Sequence, residues 1–155
     1  MLTQANRVKD IEEGKKLLEE NIKNGKALDK LAQMVKAQGG DESYIYHPEK
    51  FKKAKYIIDV KSIKNGYIKE INALEIGEAA MKLGAGRATK DDVLDFEAGI
   101  VLEKKVGSKV EVGETLCKVH SNKENIDSIL DEVLESFKFV DDELETLPII
   151  YEIVE

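Results

Sequence analysis

Gly107 and Gly113 stand six residues apart, with Val110 between them and Leu116 three positions beyond the second. This spacing constrains the fold more than any other feature of the chain. Glycine turns the backbone where other residues are strained, and the apolar residues between and after the glycines need burial. The segment Gly107-x-x-Val110-x-x-Gly113-x-x-Leu116 is therefore expected to make paired tight turns inside a β-rich unit. Strands are expected on both sides of it, from Gly99 to Leu102 and from Thr115 to His120.

The sequence before this unit has a different period. Ile11, Leu17, Leu18 and Ile22 recur at helical spacing over 10–24, with Asp10 placed to cap and Gly25 placed to end the helix. A second helix over 27–38 carries Leu28, Leu31, Met34 and Val35, and Gly39-Gly40 stops it. Tyr56–Val60 is β-branched and aromatic and reads as a strand. Asn65-Gly66 then predicts a two-residue hairpin leading into a returning strand through Ile68 and Ile71. Helical spacing resumes over 73–83 and again over 123–137, and Pro148–Val154 reads as a last strand. Helices and strands mix without a βαβ repeat, so the expected class is α+β with mostly antiparallel pairing. The expected division is a helical hairpin over residues 1–47 and a second domain over residues 48–155.

Charge and cysteine content narrow the function. Lys and Arg number 24 against 31 Asp and Glu, a formal net charge of −7, which disfavours a nucleic-acid partner. No apolar run approaches the roughly 20 residues that span a bilayer, and no signal-peptide core is expected at the start of the sequence. The single cysteine, Cys117, fits a reducing, cytoplasmic compartment and permits no internal disulfide. With two histidines and one cysteine, a structural zinc site is not expected.

Six features invite a chemical reading. Gly84-x-Gly86-Arg87, with Lys90 nearby, resembles an anion loop, but it follows a helix where phosphate loops precede one. Gln38-Gly39-Gly40-Asp41 has the same polarity, and both read as helix ends. Asp91, Asp92, Asp95 and Glu97 lack the spacing and central glycine of a calcium loop and read as a solvated turn. Cys117 and His120 fall on opposite faces of an extended segment, so no thiol–imidazole pair is expected. His47 precedes Pro48 in a loop, with no partner visible in the sequence. Lys123 lies downstream of the glycine pair, where biotinyl and lipoyl carrier domains place their modified lysine. The glycine pair matches the hammerhead hairpin of those domains. Lys123 lacks the flanking residues of either attachment site and leads into a helix. The fold expected is thus an α/β-hammerhead, with barrel-sandwich-like hairpins and packed helices, preceded by a helical hairpin.

Three ordered stretches resemble the C-terminal region of the thymidine phosphorylase family of pyrimidine-nucleoside phosphorylases. They are Met34–Asp41, Glu75–Asp92 with its Leu83-Gly84-Ala85-Gly86-Arg87 core, and Ala98–Leu116 followed by His120-Ser121-Asn122. The resemblance implies a pentosyltransferase that converts uridine or thymidine to base and pentose 1-phosphate. It also implies that the phosphate loop and base-holding residues lie N-terminal to the matching region. No catalytic, substrate-binding, cofactor or metal residue is carried onto this chain, and no cofactor is expected. The implied partner is the N-terminal part of the enzyme. Leu17, Leu18, Ile22, Leu28, Leu31 and Met34 are expected to lose cover without it and to favour self-association. Two other readings stand beside this one: a free-standing carrier module using Lys123, and the small subunit of a split phosphorylase.

Overall fold

The computed structural model describes residues 1–145, 148, 150–152 and 154. The chain divides into two compact units, Met1–Lys52 and Lys53–Glu155.

In the first unit, α1 (Ile11–Lys23) starts where Asp10 accepts the Glu13 N–H at 2.8 Å. Glu13 reaches back to accept the Lys9 N–H at 2.9 Å, so the helix start holds the segment that precedes it. Gly25, at φ +82°, turns the chain directly into α2 (Lys26–Ala37). Gly39, at φ +80°, and the Gly40 N–H, which donates to Val35 O at 2.9 Å, close α2. A one-turn helix α3 (Ser43–Tyr46) follows, tied to α2 by Tyr46 Oη donating to Asp29 at 3.0 Å. Tyr44 and Phe51 meet edge to face, 4.9 Å between ring centres. Ala32 is buried and Leu17 half-buried, while Ile11, Leu18, Ile22, Leu28, Leu31 and Met34 are exposed. Each helix thus carries apolar side chains that its own unit leaves uncovered.

The second unit is built from β1 (Tyr56–Lys61), β2 (Gly66–Ile71), α4 (Ala73–Leu83), β3 (Gly99–Leu102), β4 (Lys109–Val110), β5 (Thr115–Ser121), α5 (Asp127–Glu135) and β6 (Phe137–Val140). The strands form two antiparallel three-stranded sheets, ordered β1-β5-β3 and β4-β2-β6. Pairing sets Val60, Cys117 and Leu102 side by side, and likewise Ile58, Val119 and Ile100. The core joins Val60, Cys117 and Val119 to Ile68, Val110 and Phe137, with Ala79 and Leu83 of α4 and Val133 of α5 packed in. The mixed α+β class is as the sequence predicts.

The glycine pair does what its spacing requires. Gly107 and Gly113 adopt φ +85° and +90°. The Gly107 N–H donates to Ile68 O and the Gly113 N–H to Ser62 O, both at 2.8 Å. Between β3 and β5 the chain crosses from the first sheet to the second and back, and Val110 of β4 is fully buried.

Two expectations are corrected. Asn65-Gly66 does not form a hairpin, because β1 and β2 lie in different sheets. Ser62 makes the turn instead: its hydroxyl donates to Lys64 O at 2.6 Å. Gly66 is needed for a different reason. At φ +135°, a Cβ there would lie 2.4 Å from Val140 O, so the backbone of β6 crosses where a side chain would be. The helix expected over 123–137 is shorter. Asn125 takes the left-handed conformation at φ +55°, α5 begins at Asp127, and Phe137 belongs to β6, paired with Ile71 of β2. Burial of Phe137 and ladder pairing outweigh the helical period there. The strand expected at Pro148–Val154 includes Ile149 and Ile153, which lie outside the described residues.

Candidate functional site

Asp92, Asp95, Glu97, Asn122 and Lys123 meet at the loop between α4 and β3. The N-cap of α4 is Asn72, whose side chain accepts from Leu74 N and Glu75 N. Its end is a left-handed Gly84 at φ +115°, with Ala85 N–H donating to Ala80 O at 3.0 Å, the bond of a Schellman closure. Gly84-x-Gly86 is thus a helix end as expected, and the Gly84 and Ala85 N–H groups are taken by helix carbonyls. Arg87 and Lys90 follow in exposed positions.

Asp92 closes this loop on itself. Its carboxylate accepts from Ala88 N at 2.8 Å, Thr89 N at 2.9 Å and Thr89 Oγ1 at 2.7 Å. The Thr89 hydroxyl, then the backbone donors, and finally the charge of Lys123 hold its pKa below the usual carboxylate value. Asp95 anchors the far side, its N–H donating to Gly84 O at 2.9 Å.

Asn122 joins the loop to the sheet. Its amide nitrogen lies 3.2 and 3.0 Å from the two oxygens of Asp95 and 3.0 Å from Glu97, and its carbonyl accepts the Lys55 N–H at 2.7 Å. Next to it, Lys123 donates its backbone N–H to Ser121 Oγ at 2.9 Å and its ammonium to Lys82 O at 2.7 Å. Lys55 and Tyr56 both donate to Glu124, at 2.9 and 2.8 Å, and lower its pKa. These acidic groups accept from donors within the unit, and the arrangement braces three chain segments against one another. Among the described residues, no group of three or more His, Cys, Asp and Glu is placed to hold a metal ion.

The remaining candidates separate. Cys117 is fully buried between Val60 and Leu102, and burial pushes its thiol up to about 11. His120 pairs with Ile57 and Gly99 and, three residues on in the strand, takes the opposite face. His47 does have a partner: its Nδ1 lies 3.1 Å from Glu49 Oε1. The Gln38–Asp41 segment is a helix end, in which Asp41 accepts from Ser43 N at 2.8 Å. An open groove of about 560 Å³, lined by Ile63, Leu134, Phe137 and Phe139 among others, includes none of the motif residues. Asn122 falls in the last of the three motifs, but its bridging role has no local signal, since its carboxylate partners lie 25 and 27 positions earlier.

Two antiparallel three-stranded sheets joined by a glycine-flanked segment, with two helices packed into their shared core, define an α+β domain, the class expected of a hammerhead. Residues 67–140 match the family described as the pyrimidine nucleoside phosphorylase C-terminal domain. The pyrimidine-nucleoside phosphorylases of Staphylococcus aureus strains USA300 and NCTC 8325 are each 45% identical to this chain over 141 residues, 91% of this chain and 33% of theirs. The chain is therefore homologous to the C-terminal region of the pyrimidine-nucleoside phosphorylases, and it spans about a third of the length of the curated relatives it matches. Those relatives carry a further region outside the match. No helix of the described residues is long and apolar enough to cross a membrane.

Proposed function

We propose that this chain is the C-terminal structural region of a cytoplasmic pyrimidine-nucleoside phosphorylase. The whole enzyme would cleave uridine or thymidine with phosphate. A phosphate oxygen bonds to C1′ of the pentose as the C1′–N bond breaks, and the base leaves with the bonding electrons and takes up a proton. That chemistry needs a phosphate cradle and a cation to polarise the departing base. In this reading both lie in the partner region, and the present chain supplies the rigid scaffold they close against. The chain brings no catalytic residue and no cofactor of its own. The observation that carries the reading is 45% identity over 91% of the chain to phosphorylases of which the match covers 33%.

The carrier reading is not favoured, because the Lys123 ammonium is engaged by Lys82 O and the residue sits between β5 and α5 instead of at a hairpin tip. In isolation the chain self-associates through the exposed apolar side chains of α1 and α2, a state read by light scattering. The functional test is phosphate-dependent release of uracil or thymine by the purified chain. No turnover is expected, and turnover at enzyme-like rates overturns the proposal. An intact mass raised by a biotinyl or lipoyl group on Lys123 would instead establish the carrier.

A further inference from the structure

Three faces run along α4. Ile76, Ala79 and Leu83 turn into the core. Glu75, Glu78 and Lys82 form a charged side next to α5, where Lys82 Nζ meets Glu132 at 2.6 Å. The third face carries no charge: Leu74, Gly77 and Met81 follow one another at i, i+3 and i+7, with Ala73 beside them. Leu74 is 70% exposed. At its far end the face is firm, because the Gly86 backbone rests against Met81, leaving only 3.2 Å between an added Cβ and the Met81 side chain.

Gly77 is the informative residue. It lies in the helix interior with an ordinary helical backbone, and a Cβ there would meet nothing within 4 Å. Neither conformation nor crowding within this chain calls for glycine. Glycine in an exposed helix interior weakens the helix relative to alanine. A glycine between two larger apolar side chains does make a notch, and a notch lets a second helix approach at the close end of the usual 8–10 Å range.

We propose that the Leu74–Gly77–Met81 face receives a helix of the phosphorylase polypeptide outside the third that this chain matches, with Gly77 at the closest approach. This rests on the functional reading above. The occupant is argued from the relatives, which carry two-thirds of their length beyond the match, and from the absence of charge on the face, which suits a permanent apolar contact better than a polar ligand.

The test uses Leu74→Cys, in the chain alone and in a chimera in which the chain replaces the matching third of the staphylococcal phosphorylase. A thiol reagent is read at position 74 by peptide mass. Cys117 is buried and does not compete. Labelling is expected to be at least tenfold slower in the chimera. Gly77→Arg is expected to cut the chimera's phosphorolysis at least tenfold while leaving the melting of the isolated chain within a few degrees. Gly77→Ala should raise that melting temperature by about 3 °C. Glu78→Arg, on the charged side, should leave phosphorolysis unchanged. An active chimera in which the thiol at position 74 labels as fast as in the chain alone overturns this contact and leaves the functional reading intact. An inactive chimera with fast labelling overturns both. Labelling in the isolated chain that slows as its concentration rises would make the occupant a second copy and overturn the proposal.

Discussion

The side-chain amide of Asn122 donates to Asp95 and to Glu97, and its carbonyl accepts the backbone N–H of Lys55. One residue thereby ties the end of β5 to the α4–β3 loop and to the segment before β1. Carboxylates brought this close need a shared donor, and the amide supplies it without adding charge.

Replacing Asn122 with Ala removes that donor and is expected to destabilise the chain by about 1.5 kcal/mol in urea unfolding. Hydrogen exchange over 84–98 should quicken with it. Asn122→Asp should destabilise more at pH 7, because a third carboxylate joins the other two.

Gly66 separates crowding from backbone strain. Gly66→Ala sets a Cβ against Val140 O in a left-handed backbone and should cost about 3 kcal/mol or more. Gly113→Ala meets only open space at φ +90° and should cost about 1 kcal/mol. Urea midpoints of the two variants measure the difference.

Cys117 should resist thiol reagents at pH 8 in the folded chain and react at once in denaturant. Burial first, and then the charge of Asp59, raises its pKa from 9.0 to about 11. The folded state holds the thiol proton more tightly than the unfolded one. This contribution to stability is present in full below about pH 9 and is lost as pH rises through about 11. Unfolding curves between those values should show it, and Cys117→Ser should flatten the slope.

Local chemistry made parts of this fold legible. The bounds of α4 follow from Asn72 and Gly84, a cap and a left-handed stop whose partners lie within a few residues. The glycine pair at 107 and 113 likewise announces its turns. What the sequence hid depends on partners far along the chain. Asn65-Gly66 has the composition of a hairpin, yet Gly66 answers to Val140, and Asn65 accepts from Val112 N, 47 residues away. Phe137 continues a helical period but pairs with Ile71 of β2, which no local pattern reveals. Asn122 is the same case for the candidate site. The family motifs marked its neighbourhood, and only the three-dimensional structure joined it to Asp95 and Glu97.

The central claim is that this chain completes a pyrimidine-nucleoside phosphorylase without carrying its chemistry. The most direct measurement is phosphate-dependent release of uracil from uridine, made on the chain alone and on the staphylococcal chimera. The chain alone should show no turnover, and the chimera should turn over within about tenfold of the staphylococcal parent. Turnover by the chain alone, or a folded chimera without activity, would contradict it.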